Sequence, residues 1–293
     1  MAGAERLPLL TNKKLNHKER TMSTIQNIET VKTRMKDVWN SGDYGKFATY
    51  MEPGAIEILN EWKIAPGKKL LDVACGAGQI SIPASRTGIN VTGVDIAPNW
   101  VATARARAAS EGLDARFDEG DAEGLPYKDD TFDVAATLVG AMFAPRPDMV
   151  ASELVRVTKP GGRILMVNWT PEGFVGQMFK TIAGHVPPPS DVPSPLLWGN
   201  EEVVKTRFGN SVSHIILTKK IYPLWHYPFS VPEVIQFFFE NYGPTHRAAQ
   251  ALDGEKRSAL RKDLERVFSE YNIARDGTTT LYGEYLEVDA IKK

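Results

Sequence analysis

Two apolar segments, each with a distinctive polar end, constrain the fold of this chain more than any other feature. Residues 70–78 read Leu-Leu-Asp-Val-Ala-Cys-Gly-Ala-Gly, an apolar strand that runs into a turn containing Gly76 and Gly78. Residues 91–95 read Val-Thr-Gly-Val-Asp, a second apolar strand that ends in an acid. Glycines let a backbone approach a ligand closely, and an acid at a strand end can accept hydrogen bonds from a ribose. The pairing predicts half of a nucleotide-type binding site in an α/β fold.

The glycine turn alone leaves the ligand open. A P-loop is excluded, because no Gly-Lys-Ser/Thr follows the turn to hold a triphosphate and its metal. A dinucleotide fingerprint would need a third glycine, and Ser81 stands in its place. A nicotinamide-dependent oxidoreductase and an ordinary strand-to-helix turn therefore both remain alternatives at this point.

Three later segments favour one class of protein. Residues 117–126 form a strand end with an acid at Asp121, and residues 131–138 form a fourth apolar strand. Residues 154–165 read as a helix end, a Pro-Gly-Gly turn and a fifth strand. In this order and spacing, the segments resemble the class I S-adenosylmethionine-dependent methyltransferases, specifically the small-molecule, type 11-like family. The resemblance covers roughly residues 30–170, with a looser match to the end of the chain.

The resemblance implies a Rossmann-like α/β fold. Its sheet has seven mostly parallel strands with an antiparallel last strand, helices on both faces and a helical lid insertion. Residues 22–293 would form a single domain, preceded by a disordered extension or tag over residues 1–21. The expected parts of that domain are N-terminal helices (22–66), a donor-binding core (67–170), an acceptor lid with the sixth strand (171–272) and the last strand (273–293). The apolar pattern predicts a first helix from Thr30 to Trp39, broken by residues 41–45, and a sixth strand from His214 to Leu224.

The family's donor site maps onto matching positions of this sequence. The implied cofactor is S-adenosylmethionine, which leaves as S-adenosylhomocysteine, and no metal is implied. Asp95 would bind the ribose, Asp72 would orient the methionine ammonium, and Asp121 would accept from the adenine. The full set of expected donor-binding residues is Asp72, Ala74, Gly76, Gly78, Asp95, Ile96, Asp121, Ala122 and Leu138.

The acceptor is expected in a chamber built by the N-terminal helices and the segment after the fifth strand, which is rich in aromatic residues. The sequence lacks the Asn/Asp-Pro-Pro-Tyr/Phe clamp of methyltransferases that act on amide or nucleobase nitrogens, so a small apolar or aromatic metabolite is favoured. Expected substrate-binding residues are Tyr44, Met142, Phe143, Asn168, Trp198 and Trp225. The catalytic residue stays open, with His226, His185 and Tyr44 as candidates.

Composition excludes several other classes. Lys and Arg total 35 against 36 Asp and Glu, so no general attraction to nucleic acid is indicated. The single cysteine, Cys75, excludes an internal disulfide, and no Cys/His cluster has zinc-ligand spacing. No run of about 18 apolar residues predicts a membrane span, and a cytoplasmic location is expected. The sequence indicates no oligomeric state. Besides methyl transfer, an NAD(P)-dependent oxidoreductase and a non-catalytic S-adenosylmethionine-binding protein remain alternatives.

Overall fold

A central seven-stranded sheet organises the molecule. We describe it from a computed structural model that covers residues 17–189 and 192–293, with side chains from residue 28 onward. The strands of this sheet are β1 (Lys69–Val73), β2 (Asn90–Asp95), β3 (Arg116–Glu119), β4 (Phe132–Leu138), β5 (Thr158–Trp169), β6 (Val212–Ile221) and β9 (Glu284–Lys292). Strands β7 (His226–Tyr227) and β8 (Thr279–Thr280) form a separate two-stranded sheet.

The strand order is β3-β2-β1-β4-β5-β9-β6. The pairs from β3 to β5 are parallel, whereas β9 runs antiparallel to both of its neighbours, β5 and β6. From β1 the chain adds β2 and β3 on one side of the sheet and then β4 and β5 on the other. Ligands of open α/β sheets bind at such a switch point in strand order. The predicted seven-stranded, mostly parallel sheet with an antiparallel last strand is therefore confirmed.

Eleven helices surround the sheet in the described residues. They are α1 (His17–Trp39), α2 (Tyr44–Thr49), α3 (Glu52–Trp62), α4 (Ser81–Arg86), α5 (Pro98–Ser110), α6 (Pro147–Val157), α7 (Phe174–His185), α8 (Glu201–Phe208), α9 (Val231–Asn241), α10 (Gly243–Ala251) and α11 (Gly254–Tyr271). None of these helices is long and apolar enough to cross a bilayer.

The core forms where the strands are apolar on both faces. Leu70, Leu71 and Val73 of β1 are fully buried, as are residues 164–167 of β5. Such continuous apolar runs are typical of parallel strands covered on both sides. The predicted Pro-Gly-Gly turn is absorbed into β5 as an irregularity, where Gly161 has a left-handed backbone and the pairing with β4 shifts register.

The N-terminal helix is longer than predicted. The apolar pattern indicated a helix from Thr30, but α1 already begins at His17. The last five residues of the predicted extension 1–21 are thus helical, and residues 1–16 lie outside the described part of the chain. The predicted break after Trp39 is confirmed, although the short helix α2 directly behind it was not expected.

Two differences occur in the inserted region. The sixth strand was predicted to reach Leu224 but ends at Ile221, because Pro223 has no N–H to donate to a ladder and Leu224 has a left-handed backbone. Helix α8, which has Asn200 as its N-cap, was not predicted. The insertion packs on the N-terminal helices through aromatic rings: Phe47 of α2 contacts Tyr242 and Phe238, at ring-centroid distances of 4.6 and 5.1 Å.

Candidate active site

The glycine turn after β1 begins the site. Ala74, Gly76 and Gly78 all have positive φ angles, of 57°, 52° and 86°, so the chain reverses tightly while it leaves the sheet. A Cβ added at Gly76 would lie 3.1 Å from Oε1 of Gln79 and 3.7 Å from the ring of Tyr44. Glycine therefore keeps open a space between the turn and the N-terminal helices that a side chain would fill.

Asp95 is held at the end of β2 by backbone donors. Its Oδ2 accepts from the N–H of Gly76 and its Oδ1 from the N–H of Ala97, both at 2.9 Å. Burial raises the pKa of the Asp95 carboxyl, and these hydrogen bonds oppose the rise. An ionised carboxylate has about four acceptor positions, so the oriented Asp95 can still accept from two further hydroxyls.

Asp72 lies deeper, at the end of β1. Its Oδ2 accepts a 2.6 Å hydrogen bond from the hydroxyl of Ser81 in α4. Burial, opposed by hydrogen bonds from Ser81 and assisted by the negative charge of Asp95, raises the pKa of Asp72 to about 7. A cation brought into this region would restore the ionised form.

These groups line one cavity, which we call the main cavity, with an empty volume of about 1100 Å³. The structure brings eight of the nine predicted donor residues to its wall: Asp72, Ala74, Gly76, Asp95, Ile96, Asp121, Ala122 and Leu138. Gly78 does not line it, because its hypothetical Cβ would point at Ile82 and Ala104 in the packing behind the turn.

The lining also fits the chemistry of the implied donor. Its carboxylates, Asp72, Asp95 and Asp121, lie at or just after the ends of the adjacent strands β1, β2 and β3, and Ile96 and Leu138 add apolar surface to the lining. A zwitterionic, cationic end, a diol and a flat base each find a matching group in that order. The residues therefore fit S-adenosylmethionine. Within the described residues, no group of three or more His, Cys, Asp or Glu side chains is placed to hold a metal ion.

A second, narrower cavity adjoins the first, and its empty volume of about 360 Å³ includes space open to solvent. We call it the aromatic chamber. It is lined by Trp39, Tyr44, Phe47, Met51, Val139, Phe143, Trp169, Val175, Met178, Trp225, Phe238 and Tyr242. Five of these, Trp39, Tyr44, Met51, Val139 and Phe143, also line the main cavity. The two spaces thus share a wall made by the N-terminal helices and the segment after β4.

Three predicted acceptor residues, Tyr44, Phe143 and Trp225, line this chamber. Trp225 stacks on Trp169 at a centroid distance of 5.3 Å, and its Nε1 donates to the Tyr227 hydroxyl at 3.0 Å. Tyr44 lies where the two cavities meet. Burial and the neighbouring Asp95 raise its pKa, so the phenol stays protonated near neutral pH and can donate a hydrogen bond but not act as a base.

Three other acceptor predictions do not match where the structure places the side chains. Asn168 is buried in β5 but lines neither cavity; its neighbour Trp169 does, because successive strand residues point to opposite faces. Met142 is buried away from the cavities, whereas the adjacent Phe143 faces both. Trp198 is buried elsewhere, under the guanidinium of Arg207 at 4.3 Å from its ring.

Neither candidate histidine reaches the cavities. His226 is exposed and contacts Thr280 Oγ1 at 2.9 Å, because it alternates with the buried Trp225 and Tyr227 along the strand. His185 ends α7 and pairs with Asp263 of α11 at 2.8 Å. Both make local surface contacts. Of the three catalytic candidates, only Tyr44 lies at the site.

Several cavity residues carry no local sequence signal. Lys32, Met35 and Trp39 come from α1, Trp100 from α5, and Tyr222 from the segment after β6. The Nε1 of Trp100 donates to the carbonyl of Trp39 at 2.9 Å, which holds the end of α1 against the core. The apolar stripe of α1 predicted a helix, but a stripe does not say which ligand surface it covers.

Comparisons with known proteins bear on the family of this chain. A family model described as a methyltransferase domain matches residues 71–166. An uncharacterized protein of Mycobacterium tuberculosis is 35% identical over 267 residues, which cover 90% of this chain and 96% of that protein. Methyltransferase GfsG of Streptomyces halstedii is 39% identical over 115 residues, 38% of this chain and 41% of that protein.

The fold is also found among solved structures. The YcgJ protein from Bacillus subtilis superposes with a TM-score of 0.54 at 21% identity, covering 82% of this chain and 98% of that one. At this identity the likeness concerns the fold alone. Together with the methyltransferase domain and the residues of the main cavity, it leads to one conclusion. This chain belongs to the class I S-adenosylmethionine-dependent methyltransferases.

Proposed function

We propose that this methyltransferase methylates a small, uncharged, apolar or aromatic metabolite held in the aromatic chamber. The observation that carries the proposal is the shared wall. A donor in the main cavity and an acceptor in the aromatic chamber would meet beside Tyr44 and Phe143, which line both spaces.

The lining of the chamber supports an uncharged acceptor. Eight of its twelve residues are aromatic, and none of the twelve is Asp, Glu, Lys, Arg or His. A charged group placed there would lose its hydration without gaining a partner, which costs several kcal/mol on the order of magnitude known for buried ions. Ring faces and edges instead favour flat or aliphatic ligands.

The chain's own residues would act mainly by placement. S-adenosylmethionine, when bound, supplies an electrophilic methyl group on a sulfonium. Asp95 and Asp121 would fix the two ends of the nucleoside, and the turn at Gly76 would admit the methionine part close to the backbone. Phe143 and Trp39 would exclude water from the meeting point, and holding two reactants in line contributes much of the rate in such a reaction.

Tyr44 would serve as a hydrogen-bond donor at the junction. Its raised pKa keeps the proton on the phenol, so its hydroxyl can orient an acceptor oxygen or nitrogen. With His185 and His226 at the surface, proton removal by a histidine is not part of this proposal. The acceptor's nucleophile would therefore need little or no deprotonation by the enzyme.

A direct turnover assay tests the proposal. The full chain is incubated with S-adenosylmethionine and a library of neutral aromatic and aliphatic small molecules, matched with charged analogues of the same size. We expect S-adenosylhomocysteine to form with neutral members and the product to carry the added methyl group. Turnover confined to charged analogues would contradict the acceptor class. Donor binding without turnover on any member would favour the non-catalytic alternative.

A further inference from the structure

Lys32 of α1 is a buried lysine clasped between two carboxylates. Its Nζ lies 2.5 Å from Oδ2 of Asp121 and 2.7 Å from Oε2 of Glu123, and the residue is only 8% exposed. Burial works to lower the pKa of Lys32, but the hydrogen bonds to the two carboxylates outweigh it and raise the pKa. The side chain is therefore a cation fixed at the edge of the main cavity.

Glu123 anchors this contact from the other side. Its carboxylate is buried and is held by Arg146 twice, through Nε to Oε2 at 2.7 Å and through the backbone N–H to Oε1 at 2.6 Å. Because Glu123 is already fixed, it also fixes the ammonium of Lys32. Removing Lys32 would still leave Glu123 paired with Arg146, so no unpaired buried charge results.

Asp121 is oriented by the same set of contacts. Oδ2 accepts from Lys32, and Oδ1 accepts from the backbone N–H of Glu123 at 2.9 Å. Its side chain remains 31% exposed on the cavity side. Since a carboxylate has about four acceptor positions, Asp121 can accept one more hydrogen bond without releasing Lys32.

We propose that Lys32 is a positioning residue of the donor site. It holds the Asp121 carboxylate in the orientation that accepts from the 6-amino group of adenine, and it fastens α1 over that end of the cavity. This inference rests on the proposed function, since it takes S-adenosylmethionine as the donor with its adenine at Asp121. Lys32 acts through Asp121 and takes no part in the chemical step.

Two ligands that differ only at the 6-position of the base distinguish a positioning role of Lys32 from a purely structural one. S-Inosylhomocysteine replaces the 6-amino group of S-adenosylhomocysteine by a carbonyl oxygen, which an Asp121 carboxylate would repel. A lysine that only stabilised the fold would weaken both ligands equally when removed. If Lys32 orients Asp121, its removal would weaken the binding of S-adenosylhomocysteine more than that of S-inosylhomocysteine. The preference for the adenine ligand would then fall.

Calorimetry on the full chain measures the affinities for S-adenosylhomocysteine and S-inosylhomocysteine and so tests the proposal. The variants are Lys32→Met and Asp121→Asn, and Lys36→Met is the matched control. Lys36 lies one turn further along the same helix, is 40% exposed and stands 3.7 Å from Glu119. We expect the original chain and Lys36→Met to prefer S-adenosylhomocysteine by about tenfold or more, the effect of one charge-assisted hydrogen bond. Lys32→Met and Asp121→Asn should lose most of that preference.

Each other outcome overturns the inference. An unchanged preference in Lys32→Met, with both ligands weakened equally or not at all, would leave Lys32 a structural residue only. Tighter binding of S-adenosylhomocysteine would mean that Lys32 competes with adenine for Asp121. If Lys32→Met does not fold, Lys32→Arg is used instead, because it keeps the positive charge. We expect Lys32→Arg to show the same ligand preference as the original chain. Loss of that preference in Lys32→Arg would count against the inference. If the unmodified chain binds neither ligand, the donor assignment itself is wrong.

Discussion

The backbone N–H of Gly76 donates a 2.9 Å hydrogen bond to Oδ2 of Asp95. This contact joins the turn after β1 to the end of β2, so the two sequence segments that first indicated a nucleotide-type site are physically one unit. It also fixes the carboxylate in a single orientation before any ligand arrives. Preorganisation of this kind reduces the free-energy cost of ordering the site when a ligand binds.

Replacing Asp95 by Ala should therefore weaken donor binding while the fold survives. Losing hydrogen bonds to a charged acceptor costs about 1.5–3 kcal/mol. This corresponds to a dissociation constant that is roughly tenfold to hundredfold larger. Calorimetry with S-adenosylhomocysteine measures it. Asp114→Asn, an exposed acid outside the cavity, is the control. Unchanged affinity in a folded Asp95→Ala chain would remove Asp95 from the donor site.

Donor affinity should depend on pH through Asp72. Burial raises its pKa to about 7, so in the ligand-free chain the stability that this group contributes is present at low pH and is lost as pH rises through about 7. A cationic donor favours the ionised form. Binding should then release a proton below about pH 7, and affinity should rise with pH by at most about tenfold per unit there.

Calorimetry in two buffers of different ionisation enthalpy would count that proton. Asp72→Asn cannot ionise at this position, so it should show a flatter pH dependence and less proton release than the original chain. An identical pH profile in both chains would show that Asp72 is not the titrating group.

Two buried tryptophans provide a matched test of the acceptor chamber. Trp225 lines the chamber, whereas Trp198 is buried outside both cavities. Substituting either by Phe should cost about 1–3 kcal/mol of unfolding free energy through lost packing. Only Trp225→Phe should change turnover or acceptor preference, with donor affinity within about twofold. Equal effects of both on acceptor preference would contradict the assigned chamber.

The insertion should be stabilised by an aromatic cluster around Phe268. This fully buried ring meets Phe174 and Phe238 edge to face, at centroid distances of 4.8 and 5.0 Å. Phe268→Ala should lower the unfolding free energy by about 3–5 kcal/mol, measured by denaturant titration. Ile273→Ala, at a residue 57% exposed, should stay within about 0.5 kcal/mol. A small loss at Phe268 would mean that the cluster contributes little.

The donor half of the site was predictable because its signals are local. A positive φ angle favours glycine at Gly76, an apolar run makes a buried strand, and Asp95 follows such a run directly. The eight predicted residues that line the main cavity all follow from these short patterns and the family resemblance.

The acceptor half was predicted less well because it depends on side-chain direction. Asn168 and Trp169, or His226 and Trp225, differ by one position, and a shift of one residue reverses the face of a strand. Lys32 was missed for another reason. Its partners Asp121 and Glu123 lie about ninety residues away in the sequence, and no local pattern connects them.

The position of β9 has a consequence for how the chain acquires its structure. This strand, Glu284–Lys292, pairs on both sides with strands that precede it, β5 and β6. During synthesis, the facing edges of those two strands must wait until residue 292 has been made. Unpaired edges are sites of wrong pairing between chains. Truncation of the last ten residues should therefore yield aggregating protein, however complete its donor-binding residues are.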